Sequence, residues 1–315
     1  MKETSAPISF VVVNPNAGNG KGKKEWNTIK SILKKHSFQY KHVFTSRKMD
    51  ASKLVKKAIA NGYRTVVAVG GDGTLHEIIN GIMEQNSAPT NEVFVGLIPV
   101  GSGNDWGKMF GIPTDYEEAI KVLIARKCYK HDIGLVSHNL NGVTMKSYFL
   151  NVAGTGFEAK VIKKSHDRKN RRGKSNSTTY ITSLLSCLLS NKNQDVAITI
   201  DGTRIEQKIF SLNIGNGIYC GGGMRQAPNA RPNDGLLDVT VIGDITPIEV
   251  IFSLKYLYNG KIYDHKKVDG YRAKKVTVES AIPMYSEADG ELLGETPLEF
   301  AIAPGAINAI INLEP

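Results

Sequence analysis

Between Ile8 and Ala125 the chain repeats one alternation four times: a short strand-like run, largely apolar in three of the four, a turn, then a stretch of helical periodicity. The runs at 8–13, 39–44, 65–69 and 93–98 read as strands. The segments 23–36, 50–60 and 74–83 read as helices, and Leu75, Ile78, Ile79 and Ile82 share one face of the third. Asn61-Gly62 is a C-terminal stop for the second helix, and Thr114-Asp-Tyr-Glu117 reads as a capping box opening a fourth that runs to Ala125. Strands that are apolar throughout, rather than alternating, must be buried on both faces. Combined with intervening helices, they predict a parallel, helix-covered sheet.

After Cys128 the pattern changes. Short strands with turn signals dominate at 148–153, 196–200, 204–214, 236–242 and 275–279, and helical stretches interrupt near 178–189 and 246–258. A mainly antiparallel β domain is expected. A length of 315 residues suits two domains. The expected division is an α/β domain over 1–133 and a β-rich domain over 134–297. Strand-like segments at 298–303 and 306–312 then return to the first domain.

Composition narrows the class. Cys128, Cys187 and Cys220 are too few and too scattered for a disulfide framework or a zinc site; they suit a reducing compartment and read as buried structural thiols. No segment approaches the 18 or so continuous apolar residues of a spanning helix, so a cytoplasmic location with at most transient surface contact with a membrane is expected. The net charge of +10 points to an anionic partner or simply to solubility. It is concentrated from Lys163 to Lys174, seven basic residues against one Asp. Such a run reads by default as a solvated loop, and otherwise as a peripheral contact for an anionic membrane.

Three glycine-rich loops follow predicted strands of the first half: Asn14-Pro15-Asn16-Ala17-Gly18, Gly70-Gly71-Asp72-Gly73-Thr74 and Gly101-Ser102-Gly103-Asn104-Asp105. Ligands of open parallel sheets bind at the carboxyl ends of the strands. Glycines there let backbone N–H groups approach phosphate oxygens. The Walker A spacing is absent, and Gly154-Thr-Gly156-Phe-Glu-Ala159 matches a dinucleotide fingerprint only loosely; it reads as a tight turn.

These loops resemble the catalytic domain of the diacylglycerol kinase family. The resemblance continues through Asn216-Gly217 with Gly221-Gly-Gly223, Ala227-Pro-x-Ala230, Asp234-Gly235-x-Leu237-Asp238 and Asp289-Gly290-Glu291, over nearly the whole chain. The Gly-Gly-Asp-Gly-Thr loop alone is shared with NAD kinases. The resemblance implies an ATP- and Mg2+-dependent lipid kinase of phospholipid biosynthesis. Asn14, Pro15, Asn16, Ala17 and Gly18 would line the nucleotide, as would Gly70, Gly71, Asp72, Gly73, Thr74, Leu75 and His76. Thr45, Gly101, Ser102, Asn104 and Asp105 would complete that site. Ser102 stands where the family more often has Thr. Asp234 would ligate Mg2+, with main-chain carbonyls at Arg231 and Leu236. Asp72 and Asp105 would link the ion through water to the phosphates. Glu291 would be the general base, and a homodimer is a further family expectation.

Read locally, each Asp of a glycine-rich loop can equally be a turn former, and Glu291 can be a solvated residue beside a hairpin turn. Two other functions stay open on the residues alone: a kinase for a soluble substrate such as NAD, and a non-enzymatic binder of anionic lipid or nucleic acid. The first calls for a polar second-substrate pocket. The second leaves the phosphate loops unexplained and lacks an RNA-binding signature, so no nucleic-acid partner is expected.

Overall fold

The computed structural model describes residues 8–172, 184 and 186–313, which form two compact units: one up to Ile133 with the segment from Pro304 onward, the other Gly134–Ala303.

The first unit contains β1 (Ser9–Val13), α1 (Ala17–Lys35), β2 (Tyr40–Phe44), α2 (Asp50–Ala60), β3 (Thr65–Gly70), α3 (Asp72–Met83), β4 (Phe94–Pro99), α4 (Asp105–Met109) and α5 (Tyr116–Ala125). Its strands are parallel in the order β4-β3-β1-β2. Val11, Val12, Val13, Val66, Val67, Ala68 and Val69 are all fully buried, which is why these runs carry no polar alternation. The sheet is wound outward in both directions from the β1/β3 pair. The loops leaving those two strands therefore lie side by side at the switch point.

β5 (Cys128–Leu140) leads from the first unit into the second. The second unit then holds β6 (Val143–Phe149), β7 (Val152–Gly156), α6 (Phe157–Arg172), β8 (Gln194–Ile200), β9 (Thr203–Ile209), β10 (Ser211–Gly215), β11 (Tyr219–Cys220), β12 (Met224–Arg225) and β13 (Leu237–Ile242). It continues with α7 (Pro247–Asn259), β14 (Val268–Ala273), β15 (Lys275–Ser280), β16 (Tyr285–Ala288) and β17 (Glu291–Ile310). Neighbouring strands run antiparallel in the order β14-β13-β10-β7-β16-β17, with β15, β8 and β9 continuing from β17. Their inward side chains, including Phe149, Leu212, Val239, Val276 and Phe300, form one apolar core. A second cluster around Phe157, Phe210, Ile242 and Ile262 packs the helices.

The α/β half followed by an antiparallel β half, with a returning C-terminal strand, is the architecture expected. Several details differ. Asp115, not Thr114, caps α5, accepting from the Glu118 N–H. The run 204–214 is two strands, because the Phe210 N–H turns away to the carbonyls of Ile242 and Gly243. Gly154 and Gly156 belong to β7 rather than to a tight turn. A Cβ on either would sit within 2.6 Å of a carbonyl oxygen of the 210–212 segment, so glycine is what lets β10 approach. The basic stretch is helical in α6 as far as Arg172 and not a loop; residues 173 and 174 lie outside the described residues, as does most of 178–189. The segments 298–303 and 306–310 are parts of one strand, β17, and Ile311 and Asn312 lie beyond its end. Its part at Leu298–Ala301 pairs with β15 in the second unit, and only Asn308 and Ala309 pair with β4 in the first. The return therefore begins at Pro304 and not at residue 298. Cys187 is buried but Cys128 is exposed, on the outward-facing start of β5.

Candidate active site

In the first unit the glycine-rich loops are tied directly to one another. Asn14 follows β1, and its Nδ2 donates to Thr74 Oγ1 at 3.0 Å while its Oδ1 accepts the Asn16 N–H. The Gly70 carbonyl accepts the N–H groups of Val100 and Gly101. A Cβ on Gly18, at φ +58°, would lie 2.3 Å from the Val100 carbonyl oxygen, and one on Gly101 would lie 2.6 Å from the Gly71 Cα. The glycines are thus conditions of loop contact as well as of turning. Gly18, Asn19 and Gly20 all have positive φ, so regular helix in α1 begins only beyond them, near the expected start.

Asp72 sits in the first turn of α3. Its carboxylate accepts the N–H groups of Asp105 at 3.0 Å and Trp106 at 3.2 Å, which fastens the third loop and starts α4. Asp105 is buried, with Lys108 Nζ at 3.5 Å. Asn104 is left-handed at φ 53°; its Nδ2 donates to the Gly101 carbonyl, while its buried Oδ1 accepts no hydrogen bond among the described residues. Thr45 is buried after β2, its N–H on the Val13 carbonyl, and Ser102 is exposed at the loop tip. Leu75 is fully buried in the core, so only its backbone could face a ligand; His76 is buried beside Asn80. Closely apposed glycine backbones, an α3 start without side-chain cap and an orphaned buried amide oxygen together suit an anionic ligand with some donor groups, such as a nucleotide phosphate and sugar.

In the second unit Glu291 opens β17 directly after the Asp289-Gly290 turn, whose φ values of 50° and 83° are those of a tight hairpin. The tip is anchored, because the Asp289 carboxylate accepts the N–H groups of Leu150 at 2.9 Å and Asn151 at 2.8 Å. The Asn151 carbonyl in turn accepts the N–H groups of Asn216 and Gly217. Asn216-Gly217 is therefore a packing site for the connection that holds the hairpin. Beside it lie a buried carboxyl, Glu287, and a partly buried one, Glu158, neither of which stands out in the sequence. Glu287 accepts the Gly290 N–H, and burial raises its proton affinity well above the ordinary carboxylate range, helped by the charges of Asp289, Glu158 and Glu291. Glu158 bonds Ser211 and accepts from Gln226 Nε2 at 2.9 Å; burial also raises its pKa. An apolar strand followed by Phe-Glu at a helix start was the only available signal for Glu158.

Asp234 forms a local turn with the Leu236 N–H and an ion pair with Arg272, which also lies 3.5 Å from Asp238. Burial pushes the Asp238 carboxyl up to about 6, against the pull of Arg272. The Arg231 carbonyl accepts the Asn233 N–H. No group of three or more His, Cys, Asp or Glu suited to a metal occurs among the described residues. An ion at Asp234 would rest on one carboxylate, carbonyls and water, a donor set Mg2+ accepts, with Arg272 as a competitor.

A cavity of about 160 Å³ lies in the same unit, walled by Phe157, Val161, Leu188, Phe210, Ile242 and Leu257 among others, with Glu158, Gln226, Ser253, Tyr256 and His265 as the polar residues in its wall. α7 supplies much of one side.

Phosphate-type loops at a parallel switch point, in a chain with an antiparallel β unit carrying an acidic hairpin, define a phosphotransferase-like architecture. Residues 9–136 match the diacylglycerol kinase catalytic domain, and 151–311 match the YegS C-terminal NAD kinase beta sandwich-like domain. The chain belongs to the diacylglycerol kinase and YegS-type lipid kinase family. It is 31% identical over 259 residues, 82% of this chain and 80% of its relative, to a Pseudomonas aeruginosa protein described as "probable lipid kinase YegS-like". It is 27% identical to the diacylglycerol kinase of Staphylococcus carnosus, over 92% of this chain and 90% of that protein. In fold it is similar to a diacylglycerol kinase from Bacillus anthracis (TM-score 0.73, 24% identity, 98% of both chains). A weaker likeness is to yeast NADH kinase complexed with NADH (TM-score 0.57, 11% identity, 98% of this chain and 85% of that one).

Proposed function

We propose that this chain is an ATP-dependent, Mg2+-requiring kinase that transfers the γ-phosphate to the hydroxyl of diacylglycerol, giving phosphatidic acid at the cytoplasmic surface of a membrane. The observation that carries the lipid acceptor is the apolar cavity of the second unit. A soluble dinucleotide acceptor would call for a pocket rich in donors and charge, whereas these walls are mainly hydrocarbon, with Glu158, Gln226, Ser253, Tyr256 and His265 as the minority of polar residues.

The nucleotide would rest on the glycine backbones of the three loops, with Asn104 Oδ1 free to accept a ligand donor. Glu291 accepts the proton of the lipid hydroxyl as its oxygen bonds to the γ-phosphorus; the bond from that phosphorus to the β,γ-bridging oxygen breaks and ADP leaves. Asp72 and Asp105 hold the third loop in register with the second. Mg2+ at Asp234, with carbonyls at Arg231 and Leu236, would offset phosphate charge. The basic residues from Lys163 to Lys174 would draw the enzyme to anionic lipid.

The test is transfer of label from γ-labelled ATP to a panel of acceptors in mixed micelles: diacylglycerol, a polyprenol, a sphingoid base, phosphatidylglycerol and, as the soluble control, NAD. Labelled phosphatidic acid is the expected product. Transfer to NAD and to no lipid would overturn the proposal.

A further inference from the structure

α7 is apolar on both sides. Its start is fixed by a full capping box between Thr246 and Glu249 and its end by Gly260 in the left-handed conformation, so the helix is well defined. Yet none of its residues is buried. Val250, Leu257 and Leu254 face the cavity. On the opposite arc Ile248 is 68% exposed and Phe252 74%, and Tyr258 at the helix end is 61% exposed. A helix on a water-facing surface normally carries charge there, and one that is apolar all round is normally covered. Leu189, next to the cavity-lining Leu188, adds a further side chain at 80% exposure.

The charges bordering this face have one prevailing sign. Lys255 sits in the middle of the exposed arc. Lys261 and Lys266 flank the cavity-lining residues Ile262 and His265. Glu249 is already neutralised by Lys267 at 2.8 Å, which leaves Asp264 as the opposing exposed charge between residues 247 and 268. Aliphatic and aromatic side chains rimmed by lysines fit the boundary between anionic headgroups and acyl chains. There the rings and branches enter the apolar layer while lysine stems reach back to phosphate.

We propose that the outer face of α7 inserts into the interfacial layer of an anionic bilayer. The helix then has lipid on one side and the apolar cavity on the other, so a lipid entering the cavity passes around or along α7 without crossing water. This rests on the lipid-kinase reading only for its purpose; binding to vesicles needs no catalysis.

The experiment uses the full chain with sedimented vesicles of phosphatidylcholine alone or mixed equally with phosphatidylglycerol. The double substitution Ile248→Ser and Phe252→Ser touches neither the cavity walls nor the glycine loops. It is expected to lower partitioning into the mixed vesicles by about tenfold or more, with an unchanged thermal melt. Lys255→Glu should weaken binding to the anionic vesicles and leave binding to the neutral ones nearly unchanged. In the Phe252→Trp variant the added indole emission, after subtraction of the wild-type spectrum, should shift to the blue with vesicles and be quenched by brominated acyl chains. Wild-type partitioning by the double variant overturns the proposal. So does a dimer of the wild-type chain without lipid that the double variant dissociates, with no change in vesicle binding; the face would then join two copies. Lost vesicle binding in a chain that phosphorylates no lipid would leave the surface standing and remove the kinase reading. Intact vesicle binding with normal lipid phosphorylation would do the reverse.

Discussion

Asp72 has a structural role and a proposed functional one, and substitution can separate the two. Its carboxylate holds two N–H groups at the start of α4, so Asp72→Ala should cost about 1–2 kcal/mol, as loss of a helix cap does. Asp72→Asn keeps one acceptor oxygen for one of the two N–H groups, so it should lose only part of that stability together with the charge. If Asp72 serves the transfer step, kcat falls in both variants by more than their loss in urea midpoint explains, and Asp72→Asn loses the smaller part of the midpoint. An Asp72→Asn enzyme with wild-type kcat would leave Asp72 a purely structural residue. Glu291→Gln should lower kcat by about 10²–10⁴ with ATP binding by calorimetry nearly unchanged, since it removes a proton acceptor and little volume. Near-wild-type turnover would exclude Glu291 as the base. Glu287 gives a pH prediction. Burial raises its pKa in the folded chain, so at low pH both folded and unfolded states hold the proton. As pH rises past about 4.3 the unfolded chain releases its proton first, and stability declines until the folded carboxyl ionises too. Glu287→Gln can still accept the Gly290 N–H and should flatten this part of the urea-midpoint profile; an unaltered slope would show that other groups set it.

At the scale of elements, the loops depend on distances between backbones. Gly101 has an ordinary φ, so alanine there is not strained by its own dihedral angles; the obstacle is the Gly71 Cα 2.6 Å from the new Cβ. Gly101→Ala should push the second and third loops apart, lower the melting temperature and weaken ATP binding more than tenfold. Unchanged nucleotide affinity would mean that the contact of these loops is not what forms the site. The periods of α2, α3 and the buried strands were legible because one face, or both, is set by hydrophobic burial within a short stretch of chain. The capping of α5 was legible as to place but not as to residue, since Thr114 and Asp115 can both cap and only the backbone path selects Asp115. The split of residues 204–214 at Phe210, and the extended path of Gly154–Gly156, were not legible. Both depend on strands distant in sequence that offer or crowd hydrogen-bonding partners.

For the whole molecule, the C-terminal segment is the long-range element of the first unit. Ile307, Ala309, Ile310 and Ile311 are buried, and Asn308 and Ala309 extend the parallel sheet beside β4. Each buried isoleucine contributes about 1.5–3 kcal/mol, so a chain ending at residue 303 should lose cooperative unfolding of the first unit and expose the β4 edge. Retention of wild-type ATP binding and melting by that truncation would show the segment to be dispensable. The sequence alone determined the fold class, the positions of the glycine-rich loops after β1, β3 and β4, and through its motifs the family, because these rest on local periodicity and on contiguous residues. Tertiary structure decided what contiguous residues do not encode. It decided that β17 serves both units and that Asp289 and Asn151 fix the hairpin before Glu291. It placed Glu287 out of water and Glu158 in the wall of the cavity, and it left α7 apolar on its exposed face. Each of these depends on which distant segments share a buried surface, and that is settled only when the whole chain has packed.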